Sequence, residues 1–260
     1  LLDAFLSQYA LALEAVQLAD KAQQADLLSA KEKLQTTILN SVSHDLRTPL
    51  VSIKGALSSL LEDGNPLTAK MQQDLLIGAF EETERLNNLV GNLLDMSRLQ
   101  AGSIKLKREP YAIDEIISVA RSQRQTQLKQ HHVEVDIQPS MPLIKVDLVL
   151  FAQVIVNLLD NAAKYSSHGT KIEIRAYQSN EQVYIEVADA GVGIPADELQ
   201  SIFKKFYRAS TASPKSGTGL GLSIVYGIVE LHNGHIEASQ RPNGGTIFTI
   251  TLPVTETLSI

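Results

Sequence analysis

The 260-residue sequence contains no cysteine and no tryptophan. The lack of cysteine excludes disulfide bonds, thiolate catalysis and cysteine-ligated zinc. Acidic side chains outnumber basic ones by 29 to 23, and the net charge of −6 argues against a general affinity for nucleic acid or anionic membranes. No apolar run approaches the roughly 18 residues that a membrane-spanning helix needs. What remains is a globular chain whose 44% hydrophobic content can form a sizeable core.

The N-terminal 30 residues have the pattern of a helix. Their start, Leu1-Leu-Asp3, lacks the basic segment of a secretory signal, and a first residue that is not Met indicates a fragment of a longer protein. We expect a helix here that continues toward the next predicted helix as a parallel coiled coil. Its apolar positions, at steps of three and four, are Leu2, Phe5, Tyr9, Ala12 and Val16.

A helical hairpin is predicted next. Apolar residues recur at helical spacing from residue 34 to residue 60, and a turn at residues 62–66 ends the first helix with Gly64 and Pro66. Thr68 can then cap a second helix that runs to about Leu99. One such hairpin buries little surface, so we expect two copies to pair as a four-helix bundle.

The first helix carries an unusual histidine. At about 100° per residue, His44 lies roughly 160° from both Val42 and Leu46, and therefore points away from the apolar seam. Asp45 follows it directly. Pro49 has no N–H for the carbonyl of Asp45, which predicts a bend beside the histidine. The simplest interpretation of this pattern alone is a surface histidine on an amphipathic helix.

After about residue 103 the pattern changes to alternating strands and separate helices. This arrangement predicts a two-layer α+β sandwich. Asp114 and Asp147 are the expected caps of the first two helices. The expected strands cover residues 104–107, 133–137, 171–177, 182–188, 235–239 and 246–252, and the expected helices cover 114–130, 148–165 and 220–231.

Two amides and an ammonium group share one face of the middle helix. Asn157, Asn161 and Lys164 recur at i, i+4 and i+7. An amide oxygen can coordinate Mg²⁺, and a lysine can offset phosphate charge, so this stripe suits a metal–phosphate ligand. A solvated polar face is the alternative interpretation of the same pattern.

Two glycine-rich segments follow. In Asp189-Ala-Gly-Val-Gly-Ile-Pro195 the glycines permit a tight turn beside a ligand, although a hairpin or bulge would use them too. Ser216-Gly-Thr-Gly-Leu-Gly-Leu222 stands before a helix, where backbone amides bind phosphate readily. Between them, Phe203 and Phe206 adjoin a small-residue segment that could form a lid, or they could be core residues.

In this order and combination, the segments resemble the transmitter core of the sensor histidine kinases. The resemblance covers about residues 31–253. Its histidine box lies at 41–50, its asparagine box at 157–166, its glycine boxes at 189–195 and 217–222, and its phenylalanine segment at 202–208. The N-terminal helix also resembles the closing helix of a GAF domain in potassium-sensing, KdpD-like kinases. This resemblance implies that residues 1–30 form a signalling helix at the end of an upstream sensor domain.

The resemblance implies a dimerisation and phosphotransfer domain at residues 31–102 and a Bergerat-type (GHKL) ATP-binding domain, an α/β sandwich, at 103–260. His44 would accept the phosphoryl group, Asp45 would act as its base, and Thr48 would orient water for dephosphorylating a partner. Asn161 would hold Mg²⁺ and Asp189 the adenine amine. The remaining nucleotide contacts would come from Asn157, Lys164, Tyr165, Gly191, Gly193, Arg208, Gly217, Thr218, Gly219, Leu220 and Gly221.

The implied activity is autophosphorylation of His44 from ATP and Mg²⁺, followed by transfer to an aspartate of a response regulator. The implied protein is a homodimer in the bacterial cytoplasm, part of a longer sensor whose membrane topology is left open. We expect no nucleic-acid partner and no direct membrane contact by this fragment. There are two alternative functions. One is that of a chaperone or mismatch-repair ATPase of the same superfamily, and the other is that of a nucleotide-binding scaffold without catalysis. The histidine box counts against the first, and intact Asn161 and Asp189 count against the second.

Overall fold

The computed structural model describes residues 42–62, 67–102, 104–211, 219–242 and 244–254, except for the side chain of Gln100. The helix predicted for residues 1–30 and most of the predicted turn at 62–66 lie outside these ranges. The chain divides into two compact units, Leu1–Leu86 and Asn87–Ile260. No described helix is long and apolar enough to cross a bilayer.

Two helices form the described part of the first unit. Helix α1 covers residues 42–61 and continues through Pro49, while helix α2, Ala69–Gln100, extends into the second unit. The hydroxyl oxygen of Thr68 accepts a hydrogen bond from the N–H of Met71 at 3.3 Å, which confirms Thr68 as the cap of α2.

Many apolar side chains of these helices are exposed. Leu61 and Phe80 are 81% and 66% exposed. Exposed apolar rows of this kind mark surfaces that bind a partner. On residues 42–86 the large exposed hydrophobic side chains are Leu50, Val51, Leu57, Leu61, Met71, Leu76, Ile77 and Phe80.

The second unit is built on a five-stranded mixed sheet. Its strands are β2 (His132–Ile137), β4 (Lys171–Ser179), β5 (Gln182–Ala188), β6 (His235–Gln240) and β7 (Thr246–Pro253). They lie side by side in the order β2-β4-β5-β7-β6. Strands β2 and β4 are parallel, and the other neighbours are antiparallel. Five of the six expected strands are therefore present.

Helices cover the apolar face of this sheet, in agreement with the expected α+β sandwich. Alternate strand residues such as Ile174, Ile185 and Ile250 are fully buried against them. The outer face carries charged side chains of the same strands and the stacked rings of Tyr177 and Tyr184. The helices are α3 (Ile113–Gln123), α4 (Gln125–Leu128), α5 (Leu148–Tyr165) and α6 (Gly221–Leu231).

Of the two helix caps predicted in the second unit, one is correct. The carboxylate of Asp147 accepts a hydrogen bond from the N–H of Leu150 at 3.2 Å and caps α5 as expected. The prediction for Asp114 was wrong, because Ala112 occupies the N-cap and Asp114 lies within the first turn of α3. An acidic side chain there still interacts favourably with the positive end of the helix.

A small antiparallel sheet was not predicted. Strand β1 (Glu109–Tyr111) pairs with β3 (Ile144–Val146), and the strand expected at residues 104–107 is absent, since those residues are irregular. Ile144 and Val146 are buried, so β3 anchors the pair to the core. Strands of three residues are too short to give a reliable alternating pattern.

His232, just after α6, joins two helix ends through its buried ring. Its Nδ1–H donates to the carbonyl oxygen of Ile228 at 2.7 Å, and its Nε2 accepts from the N–H of Asp147 at 3.0 Å. The bond from Asp147 requires the neutral ring, because a protonated Nε2 has no lone pair to accept it. Burial lowers the pKa of His232, and the nearby charge of Arg108 lowers it further, against raising effects from Ile228 and Asp147.

We predict that protonation of His232 lowers the free energy of unfolding at acid pH. Because its folded-state pKa lies below the unfolded value of about 6.5, its contribution is complete above that pH. The contribution is lost as the pH falls from about 6.5 through the folded-state pKa. Chemical denaturation at pH 8 to 5 should therefore show a shallower pH dependence in His232→Gln. His235→Gln, at an exposed position, should keep the wild-type slope; an unchanged slope in His232→Gln would contradict this account.

Candidate functional site

A cavity of about 130 Å³ lies in the second unit and gathers many of the predicted site residues. It is bounded by the C-terminal half of α5, the segment after β5, the segment around residue 207 and the start of β7. Its lining includes Asn161, Lys164, Tyr165, Asp189, Gly193, Arg208 and Gly219. All of these were expected to contact a ligand, Tyr165 and Arg208 through the family resemblance alone.

Helix α5 presents Asn161, Lys164 and Tyr165 to this cavity. The adjoining face of the helix, with Leu158 and Ala162, is buried in the core and fixes its orientation. The Nζ of Lys164 lies 5.2 Å from the ring centroid of Tyr165, a cation–π arrangement that directs the ammonium group along the cavity wall. The amphipathic pattern therefore places an amide and a cation at one end of the cavity.

Asn161 has a buried amide nitrogen without a hydrogen-bond partner in the structure. A buried polar atom left unpaired is costly unless a ligand or water satisfies it. A half-turn about the terminal side-chain bond exchanges the amide nitrogen and oxygen, so this position can offer a donor or a metal ligand. The observation fits a polar ligand in the cavity.

The carboxylate of Asp189 is held at the end of β5. Its Oδ1 accepts hydrogen bonds from the N–H of Gly191 at 2.8 Å and from the N–H of Thr246 at 3.3 Å. The residue is only 5% exposed. Burial raises the pKa of Asp189, although these backbone hydrogen bonds lower it. Both described bonds end on Oδ1, which leaves Oδ2 as the oxygen to meet a ligand.

Gly191 packs between α5 and Asp189. A Cβ at this position would lie 2.4 Å from the carbonyl oxygen of Tyr165 and 3.0 Å from Oδ1 of Asp189. No side chain fits there without moving one of them. Gly191 does not line the cavity, but its lack of a side chain brings the two lining elements together.

Two lining glycines adopt left-handed backbone conformations. Gly193 has φ +72°, and Gly219 has φ +71°. A Cβ on Gly219 would also meet the carbonyl oxygen of Tyr207 at 2.6 Å, while its own carbonyl accepts from the N–H of Phe206 at 3.0 Å. These contacts tie the second glycine box to the phenylalanine segment.

The segment after the short 3₁₀ helix Ser201–Phe203 is fastened at the cavity edge. The carboxylate of Glu198 accepts from the N–H of Ser210 at 2.9 Å, and the hydroxyl of Thr211 donates to the carbonyl of Gly193 at 3.0 Å. Hydrogen bonds from Ser210 lower the pKa of Glu198. Phe203 and Phe206 are half-buried against the core, which supports the core-packing interpretation of both aromatic residues.

Besides Gly191, three of the predicted residues that the structure describes do not line the cavity. The amide of Asn157 donates to the carbonyl of Gln153 at 2.9 Å, and its oxygen faces Gly221. Leu220 is fully buried, and Gly221 begins α6. Gly217 and Thr218 lie outside the described residues.

Sequence reasoning missed several lining residues. Thr246 and Phe248 come from β7, whose pairing with β5 no local pattern could reveal. A signal for Tyr207 was its position inside the phenylalanine segment, next to Arg208. The other lining residues that had not been singled out for the cavity are Val192, Ile194, Ile202, Ala209, Thr211 and Leu222.

The second constellation lies on α1 in the first unit. The side chain of His44 is 80% exposed, and its Nδ1 lies 3.3 Å from Oδ1 of Asp45. The hydroxyl of Thr48 donates to the carbonyl of His44 at 3.1 Å, one turn further along. The predicted outward direction of His44 is therefore confirmed, and the ring leaves Nε2 directed away from Asp45.

The cavity fits Mg²⁺ bound together with phosphates. Within the described parts of the chain, no three His, Asp or Glu side chains converge as a metal site. Mg²⁺ is commonly held by one or two protein oxygens together with substrate phosphates. The amide of Asn161 is suited to that role.

The cavity is surrounded by a buried carboxylate, by a helix that carries Asn161 and by glycine turns. Together they define an ATP-binding domain of a recognised type. Residues 146–256 match the family model for the histidine kinase-, DNA gyrase B- and HSP90-like ATPases, and residues 34–102 match the His kinase A (phospho-acceptor) domain. The chain belongs to the sensor histidine kinases and carries their transmitter core.

Among similar curated proteins, the sensor protein KdpD of Clostridium acetobutylicum is 38% identical over 253 residues. KdpD of Escherichia coli is 36% identical over 257 residues. These alignments cover 96% and 97% of the chain but 28% of each relative, so the chain spans little more than a quarter of their length. The histidine kinase AdeS of Acinetobacter baumannii has a similar structure, with a TM-score of 0.64 at 25% identity, over 82% of this chain and 98% of that one.

We predict that Gly191→Ala weakens nucleotide binding on the order of tenfold or more, because the added Cβ displaces Tyr165 or Asp189. A titration with a fluorescent ATP analogue measures the effect. Gly91→Ala is the control, since its Cβ enters open space on α2. Wild-type affinity in Gly191→Ala would show that this packing does not shape the site.

Proposed function

We propose that this chain transfers the γ-phosphoryl group of ATP to His44 and then to an aspartate of a response regulator. The observation that carries the proposal is the presence, in one chain, of an exposed histidine paired with a carboxylate and of a cavity that suits ATP. Membership of the sensor histidine kinases supports the same reaction. Neither feature alone would distinguish a kinase from a nucleotide-binding scaffold.

The pairing of His44 with Asp45 defines the nucleophile. With the proton on Nδ1 directed to Asp45, the lone pair of Nε2 is free to attack the γ-phosphorus. The new N–P bond forms as the bond from phosphorus to the β–γ bridging oxygen breaks, and ADP leaves. The proton stays on Nδ1, hydrogen-bonded to Asp45, and the carboxylate stabilises the positive charge that develops on the ring.

Residues of the cavity would position the nucleotide. Oδ2 of Asp189 would accept a hydrogen bond from the exocyclic amine of adenine. Gly193, which has no side chain, would let the adenine ring approach. Lys164 and Arg208 would offset phosphate charge, and Asn161 would provide an oxygen to Mg²⁺. When bound, Mg²⁺ neutralises charge on the β- and γ-phosphates. Gly217–Gly221 completes the proposed phosphate cradle.

A homodimer is the proposed form of the first unit. The exposed apolar side chains on α1 and the N-terminal half of α2 would be buried by a second copy in a four-helix bundle. We assign residues 31–102 to dimerisation and phosphotransfer, residues 103–260 to ATP binding, and residues 1–30 to signal input. The second compact unit begins at Asn87, so it includes the C-terminal end of α2.

The position of Thr48 suits dephosphorylation of the partner regulator. Its hydroxyl lies one helical turn after His44 on an exposed face, where a docked receiver domain would meet it. A hydroxyl there could orient the water that hydrolyses an aspartyl phosphate. We therefore propose phosphatase activity towards the phosphorylated regulator, with a cytoplasmic location for both proteins.

Incubation with γ-labelled ATP and Mg²⁺ should label the wild-type chain with phosphate that is labile in acid and stable in alkali. His44→Gln should abolish the label while ATP binding is retained. Asp45→Asn should slow labelling by about 10²-fold or more, because the ring loses its proton acceptor. Label retained in His44→Gln would place the acceptor elsewhere and refute the proposal.

Thr48→Ala is predicted to separate the two activities. Autophosphorylation should stay within about twofold of wild type, because the hydroxyl does not contact the attacking nitrogen. Loss of phosphate from a phosphorylated receiver domain should slow at least about tenfold. Thr83→Ala, which removes a similar helix hydroxyl bonded to Ala79, is the matched control. Equal phosphatase rates in Thr48→Ala and wild type would remove Thr48 from the reaction.

A further inference from the structure

Arg241, between β6 and β7, lies behind Asp189 and outside the cavity lining. Its Nη1 donates to the carbonyl oxygen of Asp189 at 3.1 Å, and its Nη2 donates to the carboxylate of Glu173 at 2.5 Å. Its side chain is 21% exposed and that of Glu173 is 12% exposed. The guanidinium therefore joins the outer face of the sheet to the main chain of Asp189.

The backbone of Arg241 holds the turn that leads into β7, and this turn also contacts Asp189. Its N–H donates to the carbonyl of Gly245, and its own carbonyl accepts from the N–H of Gly244, both at 3.1 Å. Gly245 has φ +103°, and a Cβ there would lie 2.1 Å from the carbonyl oxygen of Asp189. The next residue, Thr246, provides one of the two amides on the Asp189 carboxylate. Arg241 therefore holds the main chain of Asp189 through its side chain and the turn before Thr246 through its backbone.

Glu173 is itself fixed in place. It is the register partner of Ala188, the residue before Asp189, so its side chain stands beside the end of β5. Lys171 pairs with Glu173 and, at 2.6 Å, with Glu134 on the edge strand β2. Charges that are partly buried are screened less than those in open solvent. The network gives the guanidinium of Arg241 one defined position.

We propose that Arg241, held by Glu173, is a positioning residue that sets the selectivity of the site for adenine. This inference rests on the proposed role of Asp189 as acceptor of the adenine amine. A carboxylate recognises that amine only when its free oxygen points along the ring plane. Because Arg241 fixes the main chain of Asp189 and the turn that bears Gly245 and Thr246, it fixes this direction.

The base of the nucleotide provides the test. Inosine triphosphate carries the same ribose and phosphates as ATP but a carbonyl in place of the exocyclic amine. In Arg241→Met, affinity for ATP should fall roughly five- to tenfold, while affinity for inosine triphosphate should stay within about twofold. The KM for ATP in His44 labelling should rise by the same factor with kcat unchanged, because a saturated site still aligns the phosphates.

Three further variants sharpen the test. Arg175→Met removes an exposed cation from the same face of the sheet and should leave both affinities unchanged. Arg241→Lys keeps the charge without the two-pronged geometry and should recover only part of the ATP preference. Glu173→Gln leaves Arg241 in the chain but loosens it, and it should give a smaller loss of the same kind.

The outcomes are distinct. ATP preference retained in Arg241→Met and Glu173→Gln, or an equal loss for the two nucleotides, would overturn the role of Arg241. A wild-type chain that does not prefer ATP, or a preference unaffected by Asp189→Asn, would instead contradict the adenine role of Asp189 and with it the proposed nucleotide site. If Arg241→Met does not fold, Arg241→Lys and Glu173→Gln decide the question by the ratio of their affinities for ATP and inosine triphosphate.

Discussion

The nucleotide site depends on keeping one carboxylate nearly buried and still directed at a ligand. Asp189 is fixed by two backbone amides, one from its own turn and one from the start of β7. Those amides are in place only if β5 and β7 pair in register and if Gly191 and Gly245 lack side chains. Sheet pairing, glycine placement and ligand recognition are therefore one structural requirement.

Much of this arrangement could be predicted from local sequence. The apolar faces of α5 and α6 have helical periodicity, and the strands of the large sheet alternate clearly, so these elements were found within a few residues. His44 was placed on an exposed face because side-chain direction follows directly from helical spacing. Asn161 and Lys164 line the cavity for the same reason, whereas Tyr165 was named from the family resemblance alone.

The remainder needed information that local patterns do not contain. Thr246 and Phe248 enter the cavity through the pairing of β7 with β5, which joins residues about 60 apart in the chain. Asn157 shares a helical stripe with Asn161, but it is one turn closer to the N-terminus and bonds within its helix. Arg241 was missed since it acts from the opposite face of the sheet, through the backbone of another residue.

The proposed chemistry places opposite demands on the two reactive groups. Asp189 must be buried and immobile, because selection of a base depends on the direction of a single hydrogen bond. His44 must be exposed, because its nitrogen has to reach the γ-phosphate to about 3–3.5 Å and later meet the aspartate of a second protein. A residue that must meet two partners in turn cannot belong to either site permanently. A helical unit for His44 that is distinct from the unit containing the nucleotide cavity satisfies both demands at once.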